Sequence, residues 1–201
     1  VAKRFKMGST ILLSLSSILL FFMAYCYYLD HSYQFAQILE YAAQILSPIL
    51  FLLLVVWKRL NTFHYLIRIA IAATFVGHGL YALGIFYPVP GHFVHMIVSN
   101  LPVLNSKALE FLKLAGWLDM VVAVGIFIPK VDRYVLFYAF IWGFLTSLAR
   151  LTTYVSLDHM FGLSLHLYGF EFAIRIAHFL LPLIAFLFTF DKEEESTTSS
   201  S

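Results

Sequence analysis

Six stretches of this chain carry little or no charge: 10–29, 37–57, 64–86, 108–128, 133–155 and 169–190. Each holds about twenty residues, and at ~1.5 Å per helical residue that is enough to cross the ~30 Å hydrocarbon core of a bilayer. A water-soluble domain of 201 residues could not hide them, because the chain is 61% hydrophobic and only 12% charged. Ordinary globular domains carry about 25% charged residues. The solvent these segments are built for is lipid. The expected fold class is all-α: a polytopic membrane bundle of six transmembrane helices forming one domain over 1–190. The acidic, then serine-rich tail "DKEEESTTSSS" (191–201) is expected to be solvated and unstructured.

The first run is read as a retained span, since it is too long for a signal peptide and no A-x-A cleavage site follows it. Between the third and fourth spans, "YPVPGHFVHMIVSNLPVLNSK" (87–107) holds an apolar stretch too short to cross, expected as a helix lying at the interface. Orientation follows from the basic residues. Lys3, Arg4, Lys6, Lys58, Arg59, Lys130, Arg133 and Lys192 fall on one side of a six-span arrangement, with Lys107 alone in a loop on the other. The positive-inside rule then puts both termini in the cytoplasm and turns His92, His95, His159 and His166 outward.

Composition also excludes several functions. A net charge of +2 and the lack of a basic run interleaved with aromatics argue against nucleic acid. Cys26 is the only cysteine, which rules out an internal disulfide, a C-x-x-C pair, covalent haem attachment and an all-cysteine metal or iron–sulfur site. No metal site is expected.

The ionisable residues inside the spans are unevenly distributed. Counted from the outer ends at ~1.5 Å per residue, His78, Asp119 and His178 share one level, roughly 13–17 Å down. Arg150 and Arg175 are shallower and Glu171 lies near the outer lip. The other half holds only Arg68, near enough to its end to snorkel. Helical phase points to convergence: Glu171, Arg175 and His178 fall at i, i+4 and i+7, Trp142, Thr146, Arg150 and Thr153 form a second stripe, and Thr74, His78 and Tyr81 share a face. Asp119 shares its face with the small residues Ala115, Gly116 and Ala123, while the second span adds Gln37, Glu40 and Gln44 in the outer half. Each charge at such depth costs about 2.5–3.5 kcal/mol on insertion scales, so the group is expected to pair inside the bundle around an outward-facing polar pocket.

At "RIAIAATFVGHGLYALG" (68–84) and "LAGWLDMVVAVGIFIPK" (114–130) the chain resembles the DoxX-like integral membrane proteins. These carry an arginine early in a span, then a phenylalanine and a His-Gly step, and in the next span a Gly followed one turn on by an acidic residue. The matching positions are Arg68, His78, Gly79, Gly116, Asp119 and Gly125, and the resemblance covers roughly 64–190. It implies a four-helix core with two added N-terminal spans, a bacterial inner membrane location, and redox chemistry near the membrane. One branch of the family resembles the membrane subunit of thiosulfate:quinone oxidoreductase.

The functional expectation is therefore a redox-associated, quinone-interacting membrane protein, with a quinone-linked oxidoreductase subunit as its enzymatic form. His78 and His178 would exchange protons, Asp119 would orient one of them, and Arg150, Arg175, Glu171 and Thr146 would hold a small redox substrate. A haem b between His78 and His178 is the variant reading. The alternative is a non-catalytic accessory subunit among other membrane subunits or in a homo-oligomer. A solute carrier is disfavoured because neither inverted repeats nor broken spans stand out.

Overall fold

Leu60–Leu83 forms the helix around which the others assemble, α4 in chain order. Before it come α1 (Ala2–Asp30), α2 (Ala36–Glu40) and α3 (Ala42–Phe51), the last running into a π-helical turn at Leu52–Val56. After it come α5 (Gly91–Asn100), α6 (Asn105–Gly125), α7 (Asp132–Tyr154), α8 (Phe161–Ile174) and α9 (Ile176–Thr198). This computed structural model describes residues 2–155 and 160–198 and is an all-helical bundle, with no strand among the described residues. His159 lies outside them, as do the side chains of Lys3, Arg4 and Lys192 on which part of the expected orientation rests.

Four helical stretches are long and apolar enough to cross a membrane: Phe5–Asp30, Leu60–Leu83, Asp132–Tyr154 and Phe161–Phe190. Two of the six expected spans do not qualify. The segment expected at 37–57 is split at Tyr41 and changes pitch again at Leu52. Helix α6 is long enough, but Lys107, Glu110, Lys113 and Asp119 make it too polar. The expected 87–107 interfacial element appears as the ten-residue helix α5. Residues 191–198, expected to be unstructured, continue α9 to Thr198.

The closest packing is between α4 and α6 and between α7 and α9, and glycines set it. A Cβ on Gly79 would come 3.0 Å from the Gly116 carbonyl oxygen, and one on Gly116 would come 2.9 Å from the Leu83 nitrogen. A Cβ on Gly143 would lie 2.8 Å from the carbonyl oxygen of His178, so α9 rests directly on α7. Gly77 faces α2, where an added Cβ would sit 2.5 Å from the Glu40 nitrogen and 2.9 Å from the Ala36 carbonyl oxygen. The two glycines of "GHG" thus serve opposite neighbours: Gly77 admits α2 and Gly79 admits α6. His78, between them, is left at the seam.

The main core, around Phe63, Ile67, Ile71, Phe75, Ile126 and Leu136, occupies the half away from His78 and His178. Arg68 closes that end rather than snorkelling to water. Its guanidinium donates to the Ile126 carbonyl oxygen at 2.5 Å and to Asp132 Oδ2 at 2.6 Å, tying α4 to the end of α6 and the start of α7. A cation at a helix C-terminus and a carboxylate at a helix N-terminus both suit the helix dipoles. Helix α1 is peripheral. It is held by a Ser17 hydroxyl bond to the Ile45 carbonyl, a Trp57–Thr10 bond of 3.3 Å and a Tyr27–Tyr41 stack at 5.3 Å. Most of its large apolar side chains are exposed, Ile11, Leu12, Ile18 and Phe22 among them.

Gly77→Val should therefore destabilise the bundle strongly, beyond the ~1–3 kcal/mol usual for overpacking, because what it strikes is backbone. Gly8→Val, where nothing lies within 4 Å, should leave thermal unfolding in detergent nearly unchanged. Equal melting temperatures for the two variants would contradict the close approach of α2.

Candidate functional site

The break between α2 and α3 is held open by side chains from other helices. No glycine or proline stands at Glu40, Tyr41 or Ala42 to force it. Instead the Ala43 N–H donates to Thr74 Oγ1 of α4 at 2.9 Å, and His178 Nε2 of α9 lies 3.1 Å from the Glu40 carbonyl oxygen. A carbonyl only accepts, so Nε2 carries its proton. Gln44 must then turn its amide oxygen, not its nitrogen, toward that ring across the 3.3 Å contact, since amide oxygen and nitrogen are told apart by their hydrogen bonds. The same orientation gives a partner to an amide oxygen that is otherwise unsatisfied.

The break displays the Glu40 carboxylate, buried at 5% exposure, to three helices. His78 Nδ1 lies 3.8 Å from Oε1 and an Arg175 terminal nitrogen lies 3.6 Å from the same oxygen. Arg175 also approaches Glu171 at 3.9 Å, and Glu171 pairs with Arg150 at 3.3 Å. The His78 and His178 rings meet edge to face at 5.1 Å. Two guanidiniums thus balance two carboxylates. Only the Arg150–Glu171 contact is short enough for a direct hydrogen bond; the others hold by charge at longer range. Glu171 is the exposed end of this chain of charges and Glu40 its buried end. A second break, at Arg175 between α8 and α9, swings the Arg175 side chain toward Glu40 while keeping Glu171 within reach.

Beside this network lies a cavity of about 420 Å³. His78 of α4, Asp119 of α6, Thr146 and Arg150 of α7, and Arg175 with His178 line it, together with Phe93 and Met96 of α5 and Trp142. Among the lining residues Asn100, Leu101, Phe111, Leu145, Thr146 and Thr152 reach the surface, and α6 and α7 pack only lightly on each other. The cavity therefore opens where α6, α7 and the C-terminal end of α5 leave a gap. Helix α5 roofs it, anchored by Asn100, which donates to Thr153 Oγ1 at 2.6 Å and accepts from Thr152 at 2.5 Å. Trp142 and Asp119 stand on the inner wall. Asp119 is only 4% exposed, and its Oδ1 is buried with no hydrogen-bond partner.

Of the residues read as site candidates, His78, His178, Asp119, Arg150, Arg175 and Thr146 all line this one cavity, and Glu171 stands behind it on the two arginines. Asp119 orients no histidine: its Oδ1 has no hydrogen-bond partner, and the residue has no ion pair among the described residues. Thr146 bonds back to its own helix at Trp142 and Gly143. The expectation of unbroken spans fails at Tyr41 and Arg175. A haem between His78 and His178 does not fit, because rings in edge-to-face contact leave no slot for a macrocycle. The outer histidines lie apart, His92 against Phe93 at 4.8 Å and His95 against Tyr154 at 5.5 Å. The carboxylate on which the network turns, Glu40, is the residue that sequence reasoning left outside the site. Its signal was the Gln37, Glu40 and Gln44 stripe, and all three are buried.

No protein-family model, curated protein or solved structure matches the chain. Function has to be argued from the site itself.

Removing one partner of a buried ion pair typically costs 3–5 kcal/mol, because the other charge is stranded. Arg175→Met alone should lower thermal stability more than the double variant Glu40→Gln/Arg175→Met, a coupling that a double-mutant cycle reads directly. Additive effects would mean that the two charges do not interact.

Proposed function

We propose that this chain is a six-pass integral membrane protein that binds the head of a lipid-soluble, quinone-type redox carrier in the cavity beside Glu40, His78 and Asp119. One observation carries the reading: a largely apolar cavity open to the surface ends on a wall formed by His78, Asp119, Arg150, Arg175 and His178. That is the shape of a site entered from lipid, with the tail left in the mouth and the head drawn inward. A volume of about 420 Å³ lies within the usual ~300–1,000 Å³ for small-molecule sites and holds an aromatic head with the first part of a tail. Donors for quinone oxygens are present in Arg150, Arg175 and His78.

In this arrangement α2–α3 and α6 complete the six passes: Gln37, Glu40, Gln44 and Asp119 are buried in the bundle, while the exposed Lys107, Glu110 and Lys113 occupy the first turns of α6. The end bearing Lys58, Arg59, Lys130 and Arg133 is cytoplasmic by the positive-inside rule. The Arg150–Glu171–Arg175–Glu40 chain then leads inward from the outer face, on the side where a quinone-linked reaction would exchange protons. The DoxX-like resemblance supports a redox setting, with Arg68, Gly79, Gly116 and Asp119 acting here as clamp, helix contacts and cavity wall. An accessory role within a larger assembly is favoured by one feature, the largely uncovered α1, whose apolar residues would suit another membrane subunit as well as lipid.

The test uses protein in lipid nanodiscs with Trp57→Phe and Trp117→Phe, so that of the three tryptophans only Trp142 reports. Titrated decylubiquinone should quench it saturably, with about one site per chain. Quenching that only tracks quinone concentration in the lipid would defeat the binding reading and leave the accessory one.

A further inference from the structure

The end of the bundle away from the His78 cavity carries a second recess, where α1 meets the joint between the π-helical turn and α4. It has a volume of about 340 Å³ and is lined by Lys6, Trp57 and Arg59. Local geometry brings the three together. The Trp57 indole N–H donates to Thr10 Oγ1 at 3.3 Å, and the Thr10 hydroxyl donates to the Lys6 carbonyl oxygen at 2.8 Å. Residues four apart on a helix share a face, so Lys6 lies one turn beyond Thr10 on the side toward Trp57. The chain leaves the π-helical turn through Lys58, whose φ of 53° is left-handed, with the Trp57 N–H on the Leu52 oxygen and the Arg59 N–H on the Leu53 oxygen. Glycine is the usual residue at such a position and a lysine there is strained. What lysine adds is charge.

The recess is thus walled by two cations from separate elements, with a third next to it in the chain, and its lining holds no carboxylate. None of Lys6, Lys58 and Arg59 has an ion pair among the described residues. Its level in the bundle fits a membrane surface. The apolar helices begin at Phe5 on α1 and at Leu60 on α4, next in sequence to Lys6 and Arg59, and tryptophan is a residue that favours the headgroup level. We infer that this recess binds the phosphate of an anionic phospholipid between Lys6 and Arg59, with Trp57 against the apolar part below it. Basic pockets between transmembrane helices take such headgroups, and a guanidinium meets phosphate oxygens in a two-pronged geometry that suits them. A zwitterionic lipid brings an ammonium for which the lining has no carboxylate. The bound phosphate also ties peripheral α1 to the bundle beside the long Trp57–Thr10 bond.

The test uses the full chain in phosphatidylcholine nanodiscs, with Trp117→Phe and Trp142→Phe so that of the three tryptophans only Trp57 fluoresces. Phosphatidylglycerol or phosphatidylcholine, brominated on its acyl chain near the headgroup, is added at increasing mole fraction. Phosphatidylglycerol should half-quench Trp57 at a mole fraction about tenfold lower than phosphatidylcholine, the order expected for two cations meeting one anionic headgroup. Lys6→Gln/Arg59→Gln should bring the two lipids within about twofold, whereas Lys130→Gln, on the same basic end, should preserve the preference. Equal quenching by the two lipids, or none by either, would overturn the site. Loss of the preference in Lys130→Gln, or its survival in the double variant, would mean attraction to the whole basic surface and would also overturn it. Inorganic phosphate, compared with chloride at equal ionic strength, should not release the brominated lipid. Release would mean that the recess takes the free anion, and the lipid assignment would fall.

Discussion

A carboxylate buried among apolar helices must be met by opposite charge or it will not stay there, and Glu40 imposes that condition on this fold. Two of the groups near it, His78 and Arg175, come from α4 and from the joint between α8 and α9. Those helices must therefore converge on one short stretch of backbone. Gly77 permits the approach on one side. Thr74 and His178 supply the hydrogen bonds that let the α2–α3 backbone break where the charge sits. Gly143 lets α9 settle on α7 so that His178 faces inward. The opposite end needs no such arrangement: it is filled with Phe, Ile and Leu and closed by the Arg68–Asp132 pair.

This polarity of the bundle, greasy at one end and charged at the other, was legible in the sequence because both the apolar runs and the level of each ionisable residue can be counted. The ends of α4 and α7 fall within about four residues of expectation, the ordinary scatter of helix boundaries. The two breaks were not legible. Nothing at Glu40–Ala42 or at Arg175 lowers helix propensity as glycine or proline would, and the bonds that hold the first break come from Thr74 and His178, far along the chain. Pro48 and Pro182 mark helices that continue through them instead. Glu40 escaped for the same reason: as one polar residue on a presumed straight span it looks like one of several, and only the break gives its carboxylate a central place.

The loose geometry of the charges bears on what the site can do. Contacts at 3.6–3.9 Å are electrostatic neighbours rather than locked hydrogen bonds, so Arg175 and His78 can shift toward a ligand without losing Glu40 altogether. The cavity wall is thus adaptable on the arginine side and fixed on the Asp119 side, where tight α4–α6 packing holds it. Discontinuous helices beside a buried binding site are also how membrane carriers expose backbone groups to a ligand. Here, however, the broken ends of α2 and α3 are met by Thr74 and His178.

The central claim is that a polar wall deep in the bundle is reached from lipid through the gap left by α5, α6 and α7. It is tested most directly by a spin label at Leu145, which lines the cavity and is half exposed at its mouth. Cys26, exposed on α1, would be replaced by serine so that only the introduced cysteine is labelled. In a lipid bilayer the label should relax readily with dissolved oxygen and hardly at all with a water-soluble nickel chelate, the signature of a lipid-facing mouth. Strong relaxation by the nickel chelate would place the mouth in water and contradict the account.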